Sequence, residues 1–386
     1  MIQLAASRNY LRQRNAQGHA PVASIELFFD LVFVFAIIQL SHELRTHLSA
    51  IGFIHSLILF GAVWWVWVST SWITNWLDPK HRPVQIMLLT LMLFALVLAT
   101  ALPDAFGARG RAFAIVYAIM QLGRTSFMLW AVRRFDDANY RNMRRTALWV
   151  GFSGIFWLAG GFCPAATRTI LWLAALALDF SSLGPARTAE WTIDTYHLAE
   201  RCAGFILIAL GESILITGNL FISLRWSRPD ALAFPAAFLG IASLWWIYFD
   251  KAAEHTAEAF AQSANPGQIA RTAYTYMHAL LVAGIIGVSA GDAFLLEQPT
   301  ALVSLTSGLL ILGSPALYLA GNGMFRQLLH RHFPLSHVYG VLLLGLLALG
   351  TPFMTLAALA WLSSLVLVLV IFFSDVLFSR QEQPPE

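Results

Sequence analysis

Two carboxylates open the first apolar stretch, in Ile25-Glu26-Leu27-Phe28-Phe29-Asp30-Leu31-Val32-Phe33. A carboxylate carried into hydrocarbon costs about 2.5 kcal/mol or more, so it is kept where it is paired, hydrated or protonated. Such a residue therefore marks an ion path, a proton carrier or a buried ion pair. On a helix, Glu26 and Asp30 share a stripe about 60° wide with Ile37 and Ser41, a partly polar line along one face. The plainer alternative is that both acids complement the dipole at a helix N-terminus. Asp30, a turn deeper, fits that account less well.

Further along, Leu198-Ala199-Glu200-Arg201-Cys202 begins another apolar run, and Glu212 follows within Ala209-Leu210-Gly211-Glu212-Ser213-Ile214. At ~1.5 Å per residue Glu212 falls near a bilayer midplane. It shares a face with Arg201 and Asn219, while Gly204, Gly211 and Gly218 mark another face suited to a close neighbouring helix. A midplane glutamate needs a partner or a proton, which makes it a candidate proton carrier, or else half of a static pair. Arg124 sits midway along its own run, on one face with Tyr117, Gln121 and Met128. It is expected to contact Glu212 or Asp30, or to anchor the anionic group of a solute. Between these lies a tryptophan-rich segment in which Trp64, Trp67, Ser71 and Asn75 share a face, forming an interfacial belt or the wall of a cavity. The candidate binding residues are thus Glu26, Asp30, Trp67, Ser71, Asn75, Arg124, Glu200, Arg201 and Glu212.

The elements that must carry these residues are apolar helices. The chain has 386 residues, 58% hydrophobic and 12% charged, far from the quarter of charged residues usual in soluble proteins. Runs of about twenty apolar residues recur along its length, as crossing ~30 Å of hydrocarbon requires. The expected fold is all-α and polytopic, with about twelve transmembrane helices. Sixteen basic residues fall on the side of the N-terminus and six on the other, which puts both termini in the cytoplasm. No cleavable signal is expected in residues 1–20, and the first helix would serve as its own signal.

Internal landmarks repeat. Glu26 and Glu200 are offset by 174, Trp64-Trp65 and Trp245-Trp246 by 181, Asp104-Ala105-Phe106 and Asp292-Ala293-Phe294 by 188, and Pro164 and Pro352 by 188. Four landmarks in one order suggest two parallel six-helix repeats, 25–183 and 198–376, with a cytoplasmic tail 1–24, a linker 184–197 and a tail 377–386.

Other chemistries lack their residues. Two cysteines, Cys163 and Cys202, make no disulfide framework. The histidines show no metalloprotease spacing, with His278 inside a helix and His330, His332 and His337 placed in a loop, so no metal site is expected. There is no P-loop, GxSxG or CxxC, and Gly321-Asn322-Gly323 lacks the context of a dinucleotide site. No catalytic residues and no cofactor are assigned. Basic residues form no nucleic-acid stripe; the expected partners are the lipid bilayer and a small solute or ion, with no ground for choosing an oligomeric state.

The chain resembles the bacterial low temperature requirement A family. The resemblance is carried by Glu26-Leu27-Phe28-Phe29-Asp30-Leu31-Val32-Phe33-Val34-Phe35-Ala36 with Gln39-Leu40-Ser41-His42, by Trp64-Trp65-Val66-Trp67, by Thr74-Asn75-Trp76-Leu77-Asp78-Pro79 and by Ala209-Leu210-Gly211-Glu212-Ser213-Ile214. It implies a multi-spanning bacterial inner-membrane protein, with Glu26, Asp30, Asn75, Asp78, Glu200 and Glu212 at signature positions. Cys202 and Ala203 depart from the bulkier start expected of that seventh helix. Two repeats, midplane carboxylates and no energy-coupling domain suit a secondary transporter, proton- or ion-coupled, rather than an enzyme. The alternatives are a lipid-handling or lipid-modifying protein, and a sensor or scaffold whose charges are structural.

Overall fold

A computed structural model describes residues 10–12, 21–133, 137–182, 193–224, 226–249, 265–330 and 333–381. Most of the expected tail 1–24 and linker 184–197, half of the tail 377–386 and His332 lie outside them. Among the described residues the chain is helical, without strands; only isolated bridges pair Leu11 with Leu77 and Leu302 with Thr355.

The helices are α1 (Ser24–Thr46), α2 (Ala50–Trp76), α3 (Arg82–Ala101), α4 (Gly110–Val132), α5 (Asp137–Gly161), α6 (Ala165–Ser181), α7 (Thr195–Ser223) and α8 (Arg228–Phe249). They continue with α9 (Pro266–Glu297), α10 (305–330), α11 (Leu335–Ala348) and α12 (Leu356–Gln381). Local signals set their ends. Ser49 caps α2 by accepting from Gly52 N at 3.1 Å, Ser304 and Ser307 form a capping box at the start of α10, and Pro164 and Pro334 stand immediately before α6 and α11. Two helices contain π-helical turns, Arg271–Met277 in α9 and Leu309–Gly313 in α10.

Nine helices among the described residues are long and apolar enough to cross a membrane: α1 to α4, α7 to α10, and α12. The other three fall short in length or apolarity. Arg141, Arg144 and Arg145 burden the start of α5, while α6 has 17 residues and α11 has 14. The chain is a membrane protein with several apolar spans.

Its contacts divide it into two compact units. The first takes in α1 as far as Glu43, α2 to α6, and α7 as far as Gly204; the second takes in α7 from Phe205, α8, and the chain from Thr272 onward. In the first, α4 packs between α3 and α5, α2 lies against α4 and α6, and Phe113, Trp157 and Trp172 join α4, α5 and α6. In the second, α9 packs on α10 and α12 on α8 and α11.

Close approach in the second unit depends on glycines of α9. A Cβ on Gly284 would stand 2.9 Å from Tyr318 Cβ and 3.0 Å from the Ser314 carbonyl oxygen of α10. The glycines expected to serve this purpose on α7 do not. At Gly204, Gly211 and Gly218 a Cβ would meet nothing within 4 Å among the described residues. Heptad spacing gives a common face, but not a neighbour to fill it. We expect Gly284→Leu to destabilise the protein by about 1–3 kcal/mol through overpacking against backbone. Gly211→Ala should be neutral or stabilising by up to ~1 kcal/mol, since alanine is the better helix former. Thermal unfolding of both variants in one detergent checks the contrast.

Candidate functional site

Glu26 and Asp30 are both fully buried on α1, and neither is a mere helix cap. Arg201, from the first turns of α7, lies between them. Its Nη1 donates to Glu26 Oε1 at 3.1 Å and to Thr74 Oγ1 at 3.3 Å, and its Nη2 donates to Asp30 Oδ1 at 2.5 Å. The guanidinium plane stands 5.9 Å from the Trp67 ring centroid, and Trp67 Nε1 donates to Asp30 Oδ1 at 2.8 Å. Glu26 Oε2 accepts from Arg12 Nη2 and from Ala23 N, both at 2.8 Å. Arg12 is positioned by its own backbone, whose N–H donates to the Trp76 carbonyl at 2.7 Å.

Asn75 settles the state of the neighbouring histidine. Asp194 N donates to Asn75 Oδ1 at 3.0 Å, and Asn75 Nδ2 donates to the Asp194 carbonyl at 2.8 Å. The amide orientation is thereby fixed, and its Nδ2 faces His197 Nδ1 at 3.2 Å. His197 Nδ1 must accept, so Nε2 carries the hydrogen and donates to Glu26 Oε1 at 3.0 Å. With His197 neutral, two guanidinium groups balance two carboxylates. Asp194 also accepts from Tyr196 N and His197 N, capping the start of α7.

Two candidate residues, Glu200 and Ser71, and the signature residue Asp78 stand apart. Glu200 is exposed on α7 and accepts from Val22 N at 3.3 Å. The hydroxyl of Ser71 turns back to the Trp67 carbonyl at 3.1 Å. Asp78 caps a turn by accepting from Lys80 N at 2.9 Å.

Arg124 is buried, but its partners are neither Asp30 nor Glu212. It donates to the Val66 carbonyl at 3.0 Å, to Thr70 Oγ1 at 3.1 Å and to Gln121 Oε1. Gln121 Nε2 donates in turn to Tyr117 OH at 2.8 Å, and Tyr117 OH to Asp179 Oδ2 at 2.7 Å, where Trp157 Nε1 also donates at 2.9 Å. Neutral groups thus separate this arginine from its nearest buried carboxylate in the chain of bonds. Arg124 lines a cavity of about 30 Å³ with Trp65, Ser69, Trp72, Trp76 and Ser182. Arg124 Nε and Ser182 Oγ are buried there without hydrogen-bond partners among the described residues. The expected aromatic wall exists on the opposite side of α2: Trp67 and Asn75 face the ion cluster instead.

A buried arginine of the second unit also donates to a carbonyl of another helix. Arg326 of α10 donates to the Ile247 carbonyl of α8 at 2.7 Å and to Asn322 Oδ1 at 3.0 Å. Tyr318, two turns earlier, donates to the Leu244 carbonyl at 2.8 Å. His337 belongs to this network, not to a loop: it is buried on α11, with Nε2 2.9 Å from Asn322 Oδ1. Also in the second unit, Glu212 is fully buried, and neither carboxylate oxygen has a hydrogen bond among the described residues; Ser289 is its polar neighbour.

Arg12, Asp179, Asp194 and His197 were not singled out in the sequence, and Thr74 entered only within the motif that begins with it. Asp179, a lone acid in an apolar run, carries the same signal that picked out Glu212.

The sequence matches the family described as bacterial low temperature requirement A protein (LtrA) over residues 21–372. It is 37% identical over 374 residues to an uncharacterized protein of Rhizobium meliloti (strain 1021), covering 94% of this chain and 90% of that one. No solved structure matches it.

Removing the Arg201 guanidinium strands two buried carboxylates. Arg201→Met should cost about 3–5 kcal/mol, read as a lower Tm and poorer recovery from detergent. Asp30→Asn in that background should restore part of the loss, giving a non-zero coupling in a double-mutant cycle.

Proposed function

The chain belongs to the bacterial low temperature requirement A family, and we propose that it is an ion-coupled secondary transporter of a small anionic solute. The observation that carries this reading is Glu212, buried midway along α7 with both oxygens lacking a hydrogen bond among the described residues. A carboxylate kept there without a counter-charge among the described residues is retained for what it takes up, a proton or a cation. Arg124 is its counterpart for the solute. It is a buried guanidinium with neutral partners and an unused Nε, facing a tryptophan-walled cavity. That cavity has room for one or two waters, so a solute enters when its walls part, as alternating access requires.

In this reading twelve helices cross the inner membrane as two six-helix repeats, with both termini cytoplasmic. The repeat finds support in the fourth helix of each half. Tyr117, Gln121 and Arg124 on α4 match Tyr318, Asn322 and Arg326 on α10, and the carbonyls that the two arginines engage, Val66 and Ile247, are 181 positions apart. That offset also separates Trp64-Trp65 from Trp245-Trp246, although the first pair is buried and the second half exposed. Glu26 and Asp30 belong to a balanced cluster, and we assign them to the fixed framework instead of to coupling.

Reconstituted in liposomes, the wild type should take up a small carboxylate or inorganic anion under an imposed proton or sodium gradient. Glu212→Gln should abolish gradient-driven uptake while its Tm stays equal or rises, because an isosteric amide removes a buried charge. Arg124→Gln should lose anion-dependent stabilisation. A Glu212→Gln protein that unfolds early would mean a structural pair, and stabilisation by lipids alone a lipid-handling role.

A further inference from the structure

Asp292 lies near the C-terminal end of α9, and only 9% of it is exposed. Its Oδ2 has no hydrogen-bond partner among the described residues. With Gly240 of α8, Ile311 and Pro315 of α10, and Ser363 and Ser364 of α12, it lines a cavity of about 30 Å³ inside the second unit.

The two serines have already committed their hydrogens. Proline lacks an N–H, so Pro315 leaves the Ile311 carbonyl without its usual donor four residues on. Ser363 Oγ donates to that carbonyl at 3.0 Å. Ser364 Oγ donates to the Ala236 carbonyl at 2.9 Å. A hydroxyl has one hydrogen, so each serine has only lone pairs left to offer the cavity it lines. Gly240 keeps the second hydroxyl uncovered, since a Cβ there would stand 3.2 Å from Ser364 Oγ. Ile311 lies in the π-helical turn of α10, a local widening frequent beside functional sites. The remaining described lining residues, Ala236, Val288, Gly291, Ala360 and Leu367, bring no side-chain donor and no cation. The cavity therefore presents one carboxylate and two acceptor oxygens with nothing on its walls to satisfy them.

We propose that this cavity binds a sodium ion, held by the Asp292 carboxylate and the hydroxyl oxygens of Ser363 and Ser364. Hard cations take oxygen ligands, and a single carboxylate balances a single charge, which favours a monovalent ion over a divalent one. The site is separate from Arg124 and from the Glu26–Arg201 cluster, and its occupancy is an equilibrium property that does not require transport.

The test is thermal unfolding of the purified full chain at pH 7.5 in NaCl, KCl or choline chloride at equal ionic strength. The expected result is a saturable rise in Tm with Na+ that choline does not produce and that K+ produces only weakly. Asp292→Asn should abolish that rise while melting in choline at or above the wild-type temperature. Ser363→Ala with Ser364→Ala should weaken the apparent sodium affinity at least tenfold, and this pair decides the matter if the Asp292 variant is not recovered. Equal effects of the three salts, or a sodium response that persists in both variants, would overturn the proposal. So would a Tm that depends on pH between 6 and 9 through Asp292 but not on sodium, which would make the occupant a proton. Loss of uptake in Glu212→Gln with the sodium response intact would leave this site standing independently of the transport reading.

Discussion

A guanidinium without water must find its counter-charges in the protein, and Arg201 finds two on one helix. Glu26 and Asp30 are one turn apart on α1, so a single planar fork engages both carboxylates and still reaches Thr74 of α2. Further donors to these acids are Arg12, Ala23 and His197 on Glu26 and Trp67 on Asp30 Oδ1. Because each donor comes from a different part of the chain, the cluster fixes α1, α2 and the beginning of α7 against one another. Asn75 and Asp194 extend it by setting the tautomer of His197. In lipid the hydrophobic effect gives no drive between helices, so polar contacts of this kind and close packing decide which helices meet.

Much of this was legible beforehand because lipid makes charged residues conspicuous. Glu26, Asp30, Arg124, Arg201 and Glu212 stood out as charges in apolar runs, and all five are buried. Pairing was not legible. Arg124 satisfies itself through Val66, Thr70 and Gln121, and backbone carbonyls and neutral side chains leave no trace in a count of charges. Arg12 and Asp194 escaped notice because they lie in polar segments, where a charge is unremarkable until the chain folds back over the helix ends. Periodicity likewise identified the face of α2 bearing Trp67 and Asn75 as special, but could not say that this face meets an ion cluster while Trp65, Trp72 and Trp76 wall the cavity. Helix number was the least secure reading, since α6 and α11 are short and α5 begins with three arginines.

The buried charges fall into two kinds. Those around Arg201 cancel in charge, although Asp30 Oδ2, Arg201 Nε and Arg12 Nε have no hydrogen bond among the described residues. Glu212, Asp292 and Arg124 also have unused oxygens or nitrogens, and among the described residues none of them is in an ion pair. A polar network that is fully satisfied rigidifies its surroundings, whereas an incomplete one in low dielectric is costly and persists where something else completes it. The Tyr–amide–Arg series on α4 and α10 shows a further economy. The same local device, an arginine donating to a carbonyl of another helix, joins a helix pair in each unit.

The long separation between partners in the Arg201 cluster has a consequence for biogenesis. Asp30 and Arg201 are 171 residues apart, and Glu26 and Arg201 are 175 apart. At about 5–20 residues per second of synthesis, α1 leaves the ribosome roughly ten to thirty seconds before the guanidinium that neutralises it. During that interval Glu26 has Arg12 at hand, and Asp30 has Trp67 once α2 emerges, but neither carboxylate has its full set of donors. The first helix must therefore wait at a hydrated boundary, at the insertion machinery or the lipid headgroups, and settle into its final depth only when α7 arrives.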